Sequence, residues 1–255
     1  MIFYQEYVPS QALKAYVTCL WTCHVSTLTA PYSHQVLPDN GIDILWQDQK
    51  DASFAVGMMT APINVPSVGL VKTYAVRFKP GAAGYFFDLP LDELTNQRAN
   101  LRELWGHDST EHIADNLWTH QLSDRERLDR LEQHLLLRLH TKQKRSTWDI
   151  VESAIAAIEN SNGLLKVESL ALSLCVSRQH LAAQFRARVG ISPKVFARVC
   201  RFRSAAQQIK SARQKQIDWS QLALDLGYFD QSHLIHEFQE FSGSSPDAFA
   251  TRFHR

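Results

Sequence analysis

The feature that most constrains this chain is an internal repeat within its last hundred residues. Leu170, Ala171 and Leu174 recur as Leu222, Ala223 and Leu226, at an offset of 52 residues. Six further positions recur at an offset of 53, namely Leu181, Phe185, Gly190, Ser192, Pro193 and Phe196, matched by Leu234, Phe238, Gly243, Ser245, Pro246 and Phe249. Helical periodicity explains shared leucines and phenylalanines, but it does not explain a Gly-x-Ser-Pro in both copies. The repeat therefore predicts two copies of one folding unit.

Each copy predicts a short helix, a tight turn and a second helix, over about residues 167–190 and 218–243. Polar residues suited to capping a helix start, and glycines suited to ending one in the left-handed conformation, bound the second helices. These are Ser177 and Asp230 at the starts and Gly190 and Gly243 at the ends. Two helices joined by a tight turn are typical of a helix-turn-helix unit, whose second helix enters the major groove of DNA.

The charge distribution points to the same partner. Residues 1–140 carry 11 Lys+Arg against 16 Asp+Glu, whereas residues 141–255 carry 16 against 10. Between Glu168 and Asp218 there are ten basic residues and no acidic one, and a long basic helix over about residues 192–212 is predicted to join the two units. Because a solvated helix face normally mixes both signs, this one-sided charge favours a polyanion, double-stranded DNA.

The N-terminal part is predicted to be rich in β-structure. Strands are expected over residues 2–8, 16–25, 53–57 and 72–79, with a strand, a turn and a strand over 35–47. After Pro80-Gly81 the β part is expected to end, and the pattern becomes helical. One helix carries a leucine stripe from Leu128 to Leu139, which packs either inside the domain or against a second copy of the chain.

These patterns predict an α+β chain of two domains. A mixed, β-rich N-terminal domain with trailing helices is expected over residues 1–145, and an all-α double helix-turn-helix domain over residues 146–255. The polar, basic stretch TKQKRS is the expected linker. No signal peptide or membrane span is predicted, so a cytoplasmic location is expected.

Metal and cysteine chemistry find little support in the sequence. The four cysteines form no CxxC pair, and Cys19 and Cys23 are four residues apart on a predicted strand, which is beyond disulfide reach. His24 and His34 are the only histidines before residue 107, too few for a cupin-type metal site. No metal, no cofactor and no enzymatic activity are therefore expected.

The C-terminal segments LALDLGYFDQSHLIHEFQEFSGSSPDAF and SRQHLAAQFRARVGISPKVF resemble the AraC/XylS family of transcription regulators over roughly residues 147–255. The resemblance implies a seven-helix domain in which a long helix joins two helix-turn-helix units that bind an asymmetric DNA site. The N-terminal segments VLPDNGIDILW and VRFKPGAAGYFFDLPLDELTNQ are similar to a domain attached to such regulators, where effector binding and dimerisation usually occur.

The resemblance implies base contacts from the second helix of each unit. By position, these fall on Gln179, Ala182 and Ala183 in the first unit and on Gln231, Ser232, Ile235 and His236 in the second. Contacts to phosphates are expected from Ser177, Arg178, Arg186, Arg198 and Arg201. Since the two alanines offer only methyl contacts to thymine, the first unit is expected to act largely through phosphates.

An effector pocket is also expected in the N-terminal domain. Aromatic residues on the strands, together with a histidine or an arginine as polar anchor, are candidates for its lining. The candidates are Trp21, His34, Trp46, Tyr74 and Arg77. The alternative is that the aromatic residues are core and that Arg77 is paired with Asp43 or solvated.

The sequence thus predicts a sequence-specific DNA-binding transcription regulator controlled by a small-molecule effector. RNA polymerase and a second copy of the chain are further candidate partners, and activation or repression stays open. Two alternatives remain: a DNA-binding protein that accepts alkyl groups on Cys19 or Cys23 in a repair role, and a regulator that needs no effector.

Overall fold

The computed structural model describes residues 2–26, 32–49, 52–67, 69–118, 121–140, 150–212 and 217–253. Its first part contains an antiparallel six-stranded sheet with the strand order β1-β2-β7-β4-β5-β8. These strands are β1 (Ile2–Tyr7), β2 (Val17–Val25), β4 (Ile42–Gln47), β5 (Ser53–Val56), β7 (Val71–Phe78) and β8 (Arg98–Asn100). The remaining two, β3 (Tyr32–Val36) and β6 (Ile63–Ser67), pair with each other in a second sheet.

Alternating burial fixes the inner face of the main sheet. On β4, Ile42, Ile44 and Trp46 are buried while the residues between them are partly exposed, which is the period of a strand with one covered face. β7 is paired on both sides, with β2 and with β4. The inward-facing apolar side chains of these strands therefore form one side of the N-terminal core.

The strand predictions were right in position and incomplete in number. The two strands expected within 35–47 are present, but they belong to different sheets and do not pair with each other. The prediction that the β part ends at Pro80-Gly81 was wrong, because β8 adds to the edge of the main sheet beside β5. β8 is only three residues long and largely exposed, so it leaves no hydrophobic pattern in the sequence.

Helices cover one face of the main sheet after two short 3₁₀ turns, Ala83–Tyr85 and Leu91–Leu94. They are α1 (Leu101–Trp105), α2 (His107–Trp118) and α3 (Asp124–His140). Within α3, Leu128, Leu131 and Leu135 are buried in the domain core. The leucine stripe therefore packs inside the domain, which decides between the two interpretations of it.

Seven helices follow in the described residues from 150 onward, as the fold-class prediction required. They are α4 (Ile150–Asn160), α5 (Val167–Ser173), α6 (Arg178–Val189), α7 (Pro193–Ser211), α8 (Trp219–Asp225), α9 (Gln231–Ser242) and α10 (Pro246–Phe253). The predicted linker and the domain boundary near residue 145 lie outside the described residues. The chain is thus α+β, with a β-rich first part and an all-α second part.

The two helix-turn-helix units are packed differently. The main core is continuous from the N-terminal sheet into the first unit, where it includes Leu181, Phe185 and Phe196. The second unit has a separate core that includes Phe202 and Phe238. α7 supplies side chains to both cores and so holds the units together. No helix in the described ranges is long and apolar enough to cross a membrane.

Candidate nucleic-acid interface

Both second helices begin and end as the sequence predicts. At the start of α6 the Ser177 side chain accepts a hydrogen bond from the His180 amide at 3.1 Å, and at the start of α9 Asp230 accepts one from the His233 amide at 2.7 Å. Gly190 and Gly243 end these helices with φ of 103° and 70°. α7 and α10 then begin at Pro193 and Pro246. Local capping therefore fixes the limits of both candidate reading helices.

The turn between the helices explains the one-residue slip in the repeat. Cys175 and Gly227 both adopt positive φ, 54° and 69°, at equivalent positions. The Val176 amide bonds to the Ala171 carbonyl just as the Tyr228 amide bonds to the Ala223 carbonyl. The second copy then inserts Phe229 before its capping residue. Phe229 is 86% exposed, so the extra residue lengthens the turn without entering the core.

The predicted base-contacting residues lie on accessible faces of α6 and α9. Gln179, Ala183, Ser232 and His236 are exposed, and Ala182, Gln231 and Ile235 are partly exposed. Each of these helices instead turns a leucine and a phenylalanine, such as Leu181 and Phe185, into the core. Gln231 Oε1 accepts a hydrogen bond from Ser220 Oγ at 3.1 Å, which leaves its amide nitrogen available as a donor.

The predicted phosphate contacts divide into two groups. Ser177 and Arg186 are exposed at or on α6, and Arg186 has no acidic partner among the described residues. Arg178 is exposed too, but it is paired with Glu168 at 2.7 Å. Arg198 and Arg201 lie elsewhere: both are paired with Glu237, at 2.7 and 3.3 Å, and are largely buried between α7 and α9. Their ion pairs with Glu237 favour a structural role for both arginines, and direct phosphate contact by them stays a prediction.

Glu237 is the residue that the sequence interpretation missed. Its side chain is 4% exposed and receives Arg198 and Arg201 from α7. His233 Nε2 lies 3.7 Å from the same carboxylate. A signal was present in the sequence, since Glu237 is three residues after Leu234 and four before Phe241, on the buried face of α9. A glutamate at such a position is buried only when cationic side chains pair with it, and the sequence does not show that Arg198 and Arg201 do so.

Charge is unequally divided between the units. Residues 169–217 contain no acid, whereas residues 218–253 contain six acids and one arginine. In three dimensions several cations of the first segment meet acids from outside it: Arg188, for example, lies 3.7 Å from Glu152. Arg186 and Lys194 stay exposed without an acidic partner in the described ranges. Exposed positive charge is therefore concentrated around the first unit.

The N-terminal domain contacts the C-terminal end of each reading helix. Thr95 Oγ1 donates a hydrogen bond to the Gly190 carbonyl at the end of α6. At the end of α9, a Cβ on Gly243 would lie 3.4 Å from Gln35 Nε2 and 3.5 Å from Pro62 Cγ. The same repeat position in both units thus rests on the N-terminal domain. The N-terminal halves of both helices stay accessible.

The predicted effector-pocket residues take different positions in the described structure. Trp46 and Tyr74 are fully buried in the core, because the strand alternation turns them inward. Arg77 binds the Asp43 carboxylate through two nitrogens, at 3.0 and 3.1 Å, as the alternative interpretation expected. Trp21 Nε1 donates to the same carboxylate at 3.1 Å. His34 lies on β3, in the other sheet.

The cysteines are poorly suited to accept an alkyl group. All four are free thiols, with Cys19 and Cys200 buried and Cys175 exposed. Burial raises the pKa of Cys19 and of Cys200 to about 11, and it also raises the pKa of Cys23. Since the thiolate is the nucleophile, neither Cys19 nor Cys23 is activated in this fold. Among the described residues, no group of three or more potential metal ligands is present.

We expect thiol alkylation to follow this order. In native buffer near pH 8, iodoacetamide should modify Cys175 quickly, because it is exposed. Cys19 and Cys200 should react more slowly by at least an order of magnitude, since at a pKa of about 11 only about one thiol in a thousand is ionised. Peptide mass spectrometry over a time course measures the rates. Equal rates at Cys19 and Cys175 would reopen the alkyl-acceptor alternative.

Two segments of the chain match known domain families. Residues 170–252 match a helix-turn-helix domain family, and residues 5–100 match a domain of unknown function, DUF6597. No protein of curated function matches the chain. The family match covers both predicted units from α5 onward.

Solved structures show distant similarity. The C-terminal domain of AraT, a response regulator from Geobacillus stearothermophilus, is 25% identical over 42% of this chain and 88% of that one, with a TM-score of 0.38. ToxT from Vibrio cholerae is 9% identical over 98% of both chains, with a TM-score of 0.47. ToxT bound to (E)-4-(8-methylnaphthalen-1-yl)but-3-enoic acid is 11% identical over 99% of both chains, with a TM-score of 0.43.

Proposed function

We propose that this chain, whose residues 170–252 form a helix-turn-helix domain of the AraC type, is a transcription regulator that binds duplex DNA at a specific sequence under the control of its N-terminal domain. The observation that carries the proposal is the pair of capped helices, α6 and α9, whose N-terminal halves are accessible while their opposite faces are buried. A helix presented in this way can enter a major groove and reach base edges.

α7, the linker helix between the two helix-turn-helix units, supports simultaneous reading of DNA by both. α7 has 19 residues, so it is about 28 Å long at the usual rise per residue. The first unit packs on Phe196 and the second on Phe202. One rigid element therefore holds both reading helices.

The two units are proposed to contribute differently. The first unit lies in the acid-free part of the chain and carries Arg186 and Lys194 on its surface, which suits sequence-independent attraction to phosphates. Its candidate base contacts include two alanines. The second unit is acidic overall, yet α9 presents Gln231, Ser232 and His236, which can hydrogen-bond to base edges. We assign most of the affinity to the first unit and most of the base reading to the second.

Contacts with the N-terminal domain support control by that domain. Asn40, in a loop of the N-terminal part, is buried and donates to the Phe196 carbonyl at 3.2 Å, with Cys200 Sγ 3.3 Å away. Both partners are on α7. Together with the contacts at Gly190 and Gly243, this places the N-terminal domain against the linker helix and both reading helices. A rearrangement in the N-terminal domain would therefore change their relative positions.

Replacement of the candidate readers tests the DNA-binding part of the proposal. The full chain is first used to recover its specific DNA site by pulldown of genomic fragments. On that site, Gln231→Ala and His236→Ala should each weaken binding by about 1–3 kcal/mol, because a base contact is lost. Binding to random DNA should change little. Fluorescence anisotropy with labelled duplexes at fixed salt measures both affinities.

Two variants serve as controls for this experiment. Gln239 is exposed on the C-terminal half of α9, so Gln239→Ala should leave both affinities near those of the parent chain. Arg186→Ala should weaken specific and random DNA alike and should lower the slope of log affinity against log salt by about 0.9. If Gln231→Ala and His236→Ala also lowered both affinities equally, α9 would not be the base reader.

A further inference from the structure

We propose that Phe229, the residue directly before the capping residue of α9, reads a thymine through its 5-methyl group. The inference rests on the function proposed above and deepens it, because it assigns the second helix-turn-helix unit a base contact that the sequence did not predict. Phe229 is the most exposed of the large hydrophobic side chains in the described residues. Since single exposed apolar residues are common on protein surfaces, the argument depends on the position of this one.

Local packing does not account for Phe229. An apolar residue just before a helix cap commonly packs on the residue four positions into the helix, an arrangement called the hydrophobic staple. In α9 that residue is Leu234, which is fully buried in the core of the second unit, whereas Phe229 is 86% exposed. The neighbouring aromatic residue, Tyr228, is turned inward and buried. The Phe229 ring is therefore available to a partner outside the chain.

The backbone that carries this ring is held in place. The Phe229 amide donates a hydrogen bond to His233 Nδ1 at 3.2 Å, and the Asp230 carboxylate accepts one from the His233 amide at 2.7 Å. The His233 ring also packs edge-on against Tyr228, with 5.3 Å between the centroids. Because only the two side-chain torsions of Phe229 are left to order, contact with a partner costs little conformational entropy.

The position of Phe229 favours DNA as this partner. The N-terminal half of a reading helix is the part that reaches base edges in the major groove. Phe229 is two residues before Gln231, the first residue of α9, so their Cα atoms are at most about 7.6 Å apart. The exposed ring is thus continuous with the proposed DNA-reading surface and enters the groove together with it.

Thymine is the base that suits a phenyl ring. The ring has no hydrogen-bonding atom, so it can recognise a base edge only by apolar contact, and the 5-methyl group of thymine is the apolar group that the major groove presents. Contact with the phosphate backbone is disfavoured, because the next residue, Asp230, is an exposed carboxylate that phosphates would repel.

The first unit has no counterpart of Phe229. There, Val176 is followed directly by the capping residue Ser177, whereas in the second unit Phe229 stands between Tyr228 and Asp230. The proposed methyl contact is therefore confined to the part of the DNA site that α9 reads. It adds apolar recognition to the unit to which we assign most of the base reading.

Replacing single thymines by deoxyuridine tests the proposal, because the two bases differ only in the 5-methyl group. The DNA is the specific site recovered with the full chain, and fluorescence anisotropy at fixed salt measures affinity. At one thymine in the part read by α9, deoxyuridine should weaken binding by the parent chain about three- to tenfold, as expected for loss of one buried methyl group. Phe229→Ala should bind the thymine site more weakly by at least this factor, and deoxyuridine at that position should weaken it no further.

Three measurements separate the methyl contact from general effects. Leu224, on α8 of the same unit, is also an exposed apolar residue, so Leu224→Ala should keep the full response to deoxyuridine. Gln231→Ala should bind more weakly but respond to deoxyuridine as the parent chain does, since it loses a different contact. Phe229→Ala should keep the unfolding temperature of the parent chain, because substitutions of exposed side chains usually change stability little.

Two results would overturn the inference while leaving the proposed function intact. One is an affinity of Phe229→Ala equal to that of the parent chain. The other is a weakened Phe229→Ala that still responds to deoxyuridine at every thymine as the parent chain does, which would place the ring against a deoxyribose. Equal binding of the recovered site and random DNA by the parent chain would instead overturn the proposed function, and this inference with it.

Discussion

Replacing Glu237 by alanine is expected to lower the free energy of unfolding of the second helix-turn-helix unit by about 3–5 kcal/mol. The Glu237 carboxylate is 4% exposed and binds Arg198 Nε at 2.7 Å and Arg201 Nη2 at 3.3 Å. Those guanidiniums are themselves only 22% and 18% exposed. Removing Glu237 leaves the largely buried Arg201 without a carboxylate partner and leaves Arg198 with only the exposed Glu240. Breaking a buried ion pair in this way costs more than the pair contributes when intact.

The loss should be confined to one part of the chain. The second unit has its own core, separate from the core that joins the N-terminal sheet to the first unit. We therefore expect Glu237→Ala to produce an earlier unfolding transition in α8–α10, while the sheet keeps its protection. Amide hydrogen exchange followed by mass spectrometry resolves the two parts. Binding to the specific DNA site should fall accordingly, because α9 would be partly unfolded.

Glu240→Ala is the matched control. Glu240 is a second partner of Arg198, but its side chain is 42% exposed. An exposed ion pair contributes at most about 1 kcal/mol, so this variant should keep nearly the stability of the parent chain. A similar small loss for Glu237→Ala would mean that Arg198 and Arg201 are stabilised by solvent rather than by the buried carboxylate.

Replacing Gly163 by alanine is expected to destabilise the chain by about 2–5 kcal/mol, since two costs add. Gly163 has φ of 77°, a conformation that costs an L-residue about 1–2 kcal/mol. Its new Cβ would lie 2.1 Å from the Ala197 carbonyl oxygen of α7. Because that atom belongs to a helix backbone, α4 and α7 would have to separate. Overpacking of this kind costs about 1–3 kcal/mol and occasionally more.

The consequences for function should follow from the position of Gly163. Its carbonyl accepts a hydrogen bond from Arg201 at 3.0 Å, so displacement of this turn also disturbs the ion pairs of Glu237. Urea denaturation followed by circular dichroism measures the change in stability, and DNA affinity should fall with it. Gly69→Ala is the control, because Gly69 has the same φ of 77° with nothing within 4 Å of its Cβ. Equal losses for both variants would show that the contact with Ala197 relaxes easily.

Most of the second domain could be predicted from the sequence because its determinants are local. Ser177 and Asp230 each cap a helix by accepting a hydrogen bond from the amide three residues along the chain, and Gly190 and Gly243 end these helices through their own backbone conformation. The repeat supplied the register, since two copies of one pattern constrain each other. The slip between offsets 52 and 53 even located the turn, although only the structure showed that Phe229 is the extra residue.

The candidate site was predicted less completely, for a physical reason that Arg198 and Arg201 illustrate. The sequence shows these residues in a segment without acids, which suggested free cations facing DNA. Folding brings Glu237 to them from 36 to 39 residues away. Ion pairing over such separations depends on how helices cross, and no pattern along the chain records that geometry.

What the amino-acid sequence determined by itself is most of the set of elements: the longer strands of the N-terminal sheet, the two helix-turn-helix units, the linker helix and the apolar faces that these turn inward. These follow from periodicity and capping, which act over a few residues. The tertiary structure decided which charges remain available, that Trp46 and Tyr74 are core, and that Phe229 is left exposed beside the start of α9. Those properties arise from contacts between distant segments, and such contacts exist only after the elements have packed.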